Sequence, residues 1–211
     1  PSVRAAILAR VVQQTVGGKE TPLLDGRYRL LEEIGRGGVG TVWKAELLPL
    51  GRPVAVKLLR STIASDRKAV SRLVREAMTV SKLRHEHIVQ VDDVGMDEHG
   101  SAYIAMELLQ GDSLAQRLEQ HGPLPWAAVA AIATQVCDAL AAAHAVGVVH
   151  RDIKPANVFA LRERDGSWRC KLLDFGLCTG GQGEHLPLTV AGVQLGTPGY
   201  AAPEQLRGEP V

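Results

Sequence analysis

Closely spaced glycines lie between two predicted β-strands near the start of the chain. The segment Gly35-Arg36-Gly37-Gly38-Val39-Gly40-Thr41-Val42 has glycines at its first, third and sixth positions. Where side chains are absent, backbone amides can approach and cover phosphate groups. In dinucleotide-binding folds such a loop leads from a strand into a helix. Here the sequence TVWKA at 41–45 is β-branched and aromatic and predicts a second strand. The loop therefore joins a β-hairpin, which argues against a doubly wound dinucleotide-binding domain.

The rest of the chain predicts a strand-rich part followed by a helical part. Strands are expected at 28–34, 41–47, 54–59, 88–94 and 102–106, with one helix at 66–83. After a short connector, helices are expected at 114–120, with Ser113 as N-cap, and at 126–145. On the second of these helices Val129, Val136 and Leu140 are expected to face inward. A hairpin is expected at 158–161 and 169–173, and loop from there to Glu204.

Composition narrows the classes of function. The chain has 211 residues and a net charge of +1, so bulk charge indicates neither a nucleic-acid-binding nor a membrane-binding surface. The three cysteines, Cys137, Cys170 and Cys178, are far apart and predict reduced thiols in a cytoplasmic setting. The alanine-rich run from 126 to 149 is interrupted by polar residues, so no membrane-spanning segment is predicted in this stretch. Any membrane anchor is expected outside it.

A second motif, with the sequence HRDIKPAN at residues 150–157, combines the groups that phosphoryl transfer needs. Asp152 can orient an acceptor hydroxyl, and Lys154 can stabilise charge on the transferred group. The side-chain oxygen of Asn157 is the kind of hard ligand that Mg²⁺ prefers. Pro155 disfavours a continuing helix or central strand, so a shaped loop is expected. By itself the motif would also fit an ordinary charged loop.

Further motifs along the chain favour a phosphoryl-transfer site over an ordinary charged loop. The sequence VAVK stands at 54–57, DFG at 174–176 and APE at 202–204. Together with the glycine loop and the HRD segment they resemble the eukaryotic-type (Hanks-type) serine/threonine protein kinases in their bacterial style, over about residues 28–204. The resemblance implies an α+β, two-lobed protein-kinase-like fold. Residues 1–24 would be an N-terminal extension, a short helix or frayed end. Residues 25–107 would form the N-lobe, a five-stranded antiparallel sheet with one main helix. A hinge at 108–112 would lead to an incomplete, mainly helical C-lobe at 113–211.

The resemblance also implies a reaction: transfer of the γ-phosphoryl group of ATP to Ser/Thr hydroxyls of proteins, with Mg²⁺ as cofactor. The catalytic residues would be Asp152, Lys154, Lys57 and Glu76, and the metal ligands Asn157 and Asp174. The implied ATP-binding residues are Ile34, Gly35, Arg36, Gly37, Gly38, Val39, Gly40, Val42, Ala55, Lys57, Met106, Glu107, Leu109 and Phe159.

Regulation is expected in the segment between DFG and APE. The resemblance implies that Arg151 recognises a phosphate in this segment and that Thr197 makes a structural hydrogen bond. Thr189 is the expected phosphosite, because Thr179 lies too close to DFG and the other two hydroxyls, on Thr197 and Tyr200, have structural roles. A second copy of the kinase is an expected partner for autophosphorylation, and no nucleic-acid partner is expected. The chain lacks the helices that follow APE in this family, so residues 1–211 alone are expected to be unstable and weakly active or inactive. The alternative function is a catalytically weak or inactive kinase-like nucleotide-binding or regulatory fragment.

Overall fold

The computed structural model describes residues 12–16, 19–38, 40–59, 74, 77–97, 100–163, 166–175, 189–190, 193–194, 198–207 and 209. The chain divides into two compact units. One comprises Pro1–Val70 with Asp92–Leu108, and the other Ser71–Val91 with Leu109–Val211. Within the described residues the first unit is built on a β-sheet, and the second carries the helices.

The sheet of the first unit has seven strands among the described residues, in the order β1-β2-β3-β4-β5-β7-β6. The strands predicted from 28 onward are confirmed, with shifts of one to three residues at most ends. Their glycine-containing connection is a β-hairpin between β3 and β4, as expected from the strand propensity of residues 41–45. The strands are β1 (Val12–Val16), β2 (Lys19–Leu24), β3 (Tyr28–Arg36), β4 (Gly40–Leu47), β5 (Arg52–Leu59), β6 (Val91–Met96) and β7 (Ala102–Glu107).

Two of these strands were not predicted. The expectation of a short helix or frayed end before residue 25 is wrong for its described part, because β1 and β2 form an antiparallel hairpin and β2 pairs with β3. The sheet thus has two strands more than the five expected. The first eleven residues, where the helical spacing was noted, lie outside the described residues.

Alternation along the strands gives this sheet two different faces. On one face, β5 contributes Val54, Val56 and Leu58 to a cluster of buried side chains. The intervening residues of β5, Ala55 and Lys57, point to the other face because successive side chains in a strand alternate. The first face is the hydrophobic core of the unit. Its members are Leu24, Tyr28, Leu30, Trp43, Ala45, Val54, Val56, Leu58, Tyr103 and Ala105.

Two helices of the second unit have the predicted bounds within one residue. Helix α1 (Leu114–His121) begins at Ser113, whose Oγ accepts a hydrogen bond from the Gln116 N–H at 3.2 Å. The Gln116 side chain accepts one from the Ser113 N–H at 2.9 Å, which completes a capping box. Helix α2 (Trp126–Ala145) follows Pro125. Its end is followed by Gly147, which has φ 76°.

The inner face of α2 agrees with the expected one in part, because Val136 and Leu140 are half-buried. Ile132, Ala139 and Ala143 are buried, whereas Val129 is 40% exposed. The same side of the helix carries Gln135, whose amide bonds to backbone groups of a strand, β10, described next. Within the described part of the chain, α2 is the one helix long and apolar enough to cross a membrane by length and composition. The absence of a membrane-spanning segment therefore stays a prediction.

A small three-stranded sheet lies beside these helices, in the order β10-β9-β8. Its strands are β8 (Asp112–Ser113), β9 (Val158–Arg162) and β10 (Trp168–Leu172). The β9–β10 hairpin was predicted, and it leads directly from the HRDIKPAN motif to Asp174. Residues 77–81 are helical, as expected. The loop after them joins β10 through a pair of backbone hydrogen bonds, Val89 N–H to Leu172 O and Leu172 N–H to His87 O.

The segment after DFG is more regular than predicted. Instead of continuous loop, the described residues include β11 (Thr189–Val190) paired with β12 (Val193–Gln194). A short 3₁₀ turn at Pro198–Tyr200 precedes helix α3 (Pro203–Arg207). Pro203 stands at the first helical position, where its missing N–H has no cost.

Candidate active site

The Asp152 carboxylate is held by two neighbours in the HRDIKPAN motif. The Asn157 Nδ2 donates to Asp152 Oδ2 at 2.9 Å and to the Asp152 backbone carbonyl at 2.8 Å. The Lys154 Nζ lies 2.8 Å from the same Oδ2. The side chains of Lys154 and Asp152 are only 18% and 11% exposed, so this ion pair is largely shielded from water. The carboxylate therefore has a fixed orientation and a cation beside it.

The local backbone explains why these three side chains converge. Residues Pro155–Asn157 form a single 3₁₀ turn, which Pro155 starts and which the Asn157 N–H closes on the Lys154 carbonyl at 2.9 Å. The turn directs the buried Asn157 side chain back toward Asp152. Because β9 starts at the next residue, the position of the turn is set by the β8–β9–β10 sheet.

His150 is buried beside this loop and bonds to its backbone. It is 2% exposed, and its Nδ1 accepts a hydrogen bond from the Asp152 N–H at 3.2 Å. Nε2 must then carry the proton and donate to the Leu173 carbonyl at 2.7 Å. The ring also packs against Phe175, with centroids 4.7 Å apart. Burial lowers the pKa of His150, which fits this neutral imidazole.

Asp174 lies next to the same loop because the preceding residue, Leu173, is hydrogen-bonded to it. The Leu173 N–H donates to the Asn157 carbonyl at 2.9 Å, and the Leu173 carbonyl accepts from His150. Two residues here, Arg151 at φ 65° and Asp174 at φ 57°, adopt the left-handed conformation, which is uncommon outside glycine. Such strain is retained where the surrounding structure fixes it, and it is concentrated at functional sites.

The donor set fits a magnesium ion. Asn157 uses its Nδ2 to bind Asp152, so its side-chain oxygen is the atom left to act as a ligand. Asp174 supplies a carboxylate one residue after the Leu173 that bonds to Asn157. A carboxylate and an amide oxygen are hard ligands of the kind Mg²⁺ takes.

The glycine loop of the first unit is closed by its own backbone. The Gly37 N–H donates to the Gly40 carbonyl at 2.9 Å. A Cβ at Gly40 would lie 2.1 Å from the Leu58 carbonyl oxygen of the adjacent strand, whereas one at Gly37 or Gly38 would meet nothing within 4 Å. Glycine at position 40 is therefore required by the close approach of β4 to β5. Glycines at 37 and 38 leave open space over the loop, as a phosphate-covering role needs.

The face of the sheet opposite the core collects the predicted nucleotide-binding residues of β4, β5 and β7. Lys57 on β5 is only 6% exposed, and its partners across the strands are Val42 and Ile104. Ala55 lies two residues earlier on the same face, opposite Met106. Directly paired residues of antiparallel strands share a face. Lys57 thus shares its face of the sheet with apolar side chains, which can contact the flat ring of a nucleotide base.

The other predicted site residues are placed as follows. Ile34 is 47% exposed on β3, and Arg36 forms an ion pair with Glu33 at 2.6 Å. Glu107 and Leu109 are half-buried at the end of β7 and after it, and Phe159 is half-buried on β9. Thr189 is on β11. Glu76, Val39 and Thr197 lie outside the described residues.

One residue that the sequence did not indicate also contacts the HRDIKPAN motif, which is called the catalytic loop below for its proposed role. Gln205 on α3 donates from Nε2 to the Arg151 carbonyl at 2.8 Å. Its position, the third residue of a helix that starts with proline, is where Glu or Gln side chains reach back to a helix N-terminus. That signal could have predicted the cap, but not the bond to residue 151.

The fold and these two groups of residues define a class, the protein kinase domains. The chain belongs to that family: the protein kinase domain model matches residues 28–211. It is 42% identical to the serine/threonine-protein kinase pkn3 of Myxococcus xanthus over 184 residues, 86% of this chain and 34% of that protein. It is 39% identical to the serine/threonine-protein kinase PknL of Mycobacterium tuberculosis, over 89% of this chain and 45% of that one.

A solved structure supports the assignment of the fold. The crystal structure of the PknI kinase domain of M. tuberculosis matches with a TM-score of 0.69 and 29% identity, over 90% of this chain and 67% of that one. The expected α+β protein-kinase fold is thereby confirmed. The chain spans between about a third and a half of the length of the two relatives named above.

Proposed function

We propose that this chain is the catalytic part of a serine/threonine protein kinase, which transfers the γ-phosphoryl group of ATP to Ser or Thr hydroxyls of proteins. The observation that carries the proposal is the Asp152 carboxylate fixed by Asn157 and Lys154. The two relatives named above are both serine/threonine-protein kinases, which supports the choice of acceptor.

In this proposal Asp152 binds and orients the acceptor hydroxyl. Both neighbours reach Oδ2, so we assign the hydroxyl to Oδ1, which accepts its proton as the oxygen attacks phosphorus. Lys154 lies beside the carboxylate and stabilises charge on the phosphoryl group as it moves. Holding the hydroxyl in line with the phosphorus supplies much of the acceleration, because an orientation fixed in advance costs no entropy during the reaction.

The first unit binds the nucleotide. Lys57 binds the α- and β-phosphates, with Glu76 as the carboxylate that positions it, and the amides of the glycine loop cover the phosphates. Ala55, Val42 and Met106 contribute apolar surface to the adenine. The adenine edge is bound by the Glu107 carbonyl and the Leu109 amide. The full set of ATP-binding residues is the one implied by the family resemblance.

Asn157 and Asp174 would hold Mg²⁺, and the ion would supply positive charge that neutralises the phosphates of the nucleotide. The chain's own part is to present the two oxygen ligands in a fixed relation. The hydrogen bond from Leu173 to the Asn157 carbonyl supports this role, since it ties the two ligand-bearing segments together.

Regulation acts on the segment before APE. We assign the phosphosite to Thr189, recognition of its phosphate to Arg151 and a structural bond to Thr197. A second copy of the kinase is the enzyme that phosphorylates Thr189. The setting is cytoplasmic, where ATP and protein substrates are present.

The proposal is tested in the natural protein that carries this domain. Wild type is compared with Asp152→Asn and Lys57→Met for ³²P transfer from ATP to a generic protein substrate and to itself. We expect both variants to lose about 100-fold or more of the activity, the range for loss of a catalytic acid–base or charge-stabilising group. Equal phosphorylation by all three proteins would contradict the assignment. ATP binding without transfer by wild type would favour the alternative, a kinase-like nucleotide-binding or regulatory module.

A further inference from the structure

The peptide bond between Arg151 and Asp152 is held on both sides. Its N–H, from Asp152, donates to His150 Nδ1 at 3.2 Å. Its carbonyl, from Arg151, accepts from Gln205 Nε2 at 2.8 Å. The first partner lies within the HRD motif, but the second comes from helix α3, 54 residues later in the chain.

The orientation of the Gln205 amide is fixed by a second bond. Gln205 Oε1 accepts from the Ala202 N–H at 3.0 Å, at the N-terminus of α3. With the oxygen on an N–H and the nitrogen on a carbonyl, both ends of the amide are satisfied, and the reversed amide would satisfy neither. Gln205 thus links the start of α3 to the loop that carries Asp152.

The held peptide is a strained one. Arg151 has φ 65°, a conformation that costs a non-glycine residue free energy and relaxes unless neighbouring bonds maintain it. If the Arg151 carbonyl lost its partner, the peptide could rotate, and the backbone of Asp152 would rotate with it. The Asp152 carboxylate would then leave the position in which Asn157 and Lys154 hold it.

We infer that Gln205 is a positioning residue for phosphoryl transfer. It acts through the Arg151 carbonyl to hold Asp152 in the orientation that the acceptor hydroxyl requires, and it couples that orientation to the folding of the APE helix. The inference rests on the proposed kinase function. It predicts an effect on turnover and none on nucleotide affinity, because Gln205 bonds to Ala202 and Arg151, and neither residue is assigned to ATP.

Two substitutions separate this role from simple helix capping. Gln205→Glu keeps an acceptor for the Ala202 N–H, and a carboxylate in the first helical turn is favourable, but it cannot donate to the Arg151 carbonyl. Gln205→Ala removes both bonds. The matched control is Gln116→Glu in α1, where the side chain also caps a helix through its oxygen but lies outside the proposed catalytic loop.

The measurements are kcat, the KM for ATP and Tm, all in the natural protein that carries this domain. We expect kcat of Gln205→Glu to fall about threefold to tenfold or more, the effect of one lost hydrogen bond, with an unchanged KM and Tm. Gln205→Ala should show a similar fall in kcat with a lower Tm, and Gln116→Glu should match wild type. Wild-type kcat in Gln205→Glu, with only Tm lowered in Gln205→Ala, would overturn the inference.

Failure of the proposed function has a different signature. It would show as equal phosphorylation by wild type and Asp152→Asn, and the inference would fall with it. If Gln205→Glu lowers Tm, the test is the kcat of Gln205→Ala. A kcat of Gln205→Ala below that of wild type, with an unchanged KM for ATP, supports the positioning role. A kcat of Gln205→Ala equal to that of wild type overturns it.

Discussion

The two groups of proposed site residues are held in place in different ways. Lys57 and Ala55 belong to a central strand, and the backbone of β5 is paired on both sides, with β4 and with β7. Asp152 belongs to no strand or helix. Its position depends on bonds from side chains, those of Asn157, His150 and Gln205 to the loop backbone or to its carboxylate.

This difference has consequences for tolerance to substitution. In the sheet, the ladder of backbone bonds survives the loss of almost any single side chain, so a functional residue can be replaced without moving its neighbours. In the catalytic loop, hydrogen bonds from side chains hold the backbone in its conformation. Removing one of these side chains leaves backbone groups unpaired, at a cost of about 1–3 kcal/mol each. Function and stability should therefore separate cleanly in the first region. In the second they should separate only where a substitution compensates for the lost bond, as the favourable carboxylate of Gln205→Glu does at the N-terminus of α3.

The largest expected effect is an exception to this tolerance in the sheet, at a glycine where an added side chain would collide with the backbone of the neighbouring strand. In Gly40→Ala the new Cβ would lie 2.1 Å from the Leu58 carbonyl oxygen, which belongs to the backbone of the paired strand. The strands must separate there, and we expect the free energy of unfolding to fall by about 3 kcal/mol or more. Chemical denaturation measures it.

Gly37→Ala is the matched control, because its Cβ would meet nothing within 4 Å. It should change the free energy of unfolding by less than about 1 kcal/mol, within the range of surface substitutions. Equal stability of the two variants would show that the close approach of β4 to β5 is not maintained in solution.

The second largest effects are expected from a pair of substitutions, one in each region, which compare the sheet with the catalytic loop. Lys57→Met and Asn157→Leu each remove a proposed active-site group while keeping much of the side-chain volume. We expect kcat to fall about 100-fold or more in both variants. Asn157→Leu should in addition lose about 1–3 kcal/mol of stability and be the less stable of the two, because the Asp152 carbonyl and Oδ2 each lose a donor.

Steady-state kinetics and urea midpoints, measured on the same preparations, check this pair of variants. A Lys57→Met protein as destabilised as Asn157→Leu would contradict the proposed distinction between strand and loop. A stable but inactive Asn157→Leu protein would mean that the loop keeps its shape without the Asn157 side chain.

The same contrast explains what the sequence predicted in the fold. Strands β3 to β5 were predicted because β-branched and alternating residues record the local pattern of the sheet. The bounds of α2 followed from Pro125 before it and Gly147 after it. Strands β1 and β2 were missed because their polar sequences, VQQTV and KETPLL, become strands by pairing with the rest of the sheet rather than by local preference.

The face of α2 was predicted only in part, for a related reason. An alanine-rich helix is apolar around its whole circumference, so its sequence carries little information about which side is buried. Val136 and Leu140 are half-buried as expected, but Val129 is exposed. The buried positions are Ile132 and the small residues Ala139 and Ala143, and Gln135 on the same side bonds to β10. Small and polar residues allow close approach and hydrogen bonding that periodicity cannot indicate.

In the candidate site, motif spacing predicted that certain residues lie together but not how they are held. Asp152, Lys154 and Asn157 were predicted as neighbours in the reaction, and the structure brings them into direct contact. The bond from Gln205 joins positions 54 residues apart, and no local signal connects a glutamine after APE with the Arg151 carbonyl. The left-handed conformation of Arg151 was equally beyond prediction, because arginine has no preference for it.

The smallest effect concerns the titration of His150. Its pKa is lowered by burial in the folded protein, so just below pH 6.5 the unfolded chain binds a proton at this residue while the folded chain does not. The unfolded state is then favoured by acid, and the free energy of unfolding should decrease as pH falls from about 6.5 toward the lowered pKa. One group contributes no more than about 1.4 kcal/mol per pH unit.

The His150→Phe variant isolates this contribution, since phenylalanine keeps a ring against Phe175 but cannot titrate. At pH 7.5 it should be less stable than wild type by about 1–3 kcal/mol, because the Asp152 N–H and the Leu173 carbonyl lose their partner. Between pH 7.5 and 5.5, however, its urea midpoint should fall less than that of wild type. A parallel decline in the two proteins would mean that His150 is protonated equally readily when folded and unfolded, and that the catalytic loop does not depend on a neutral imidazole.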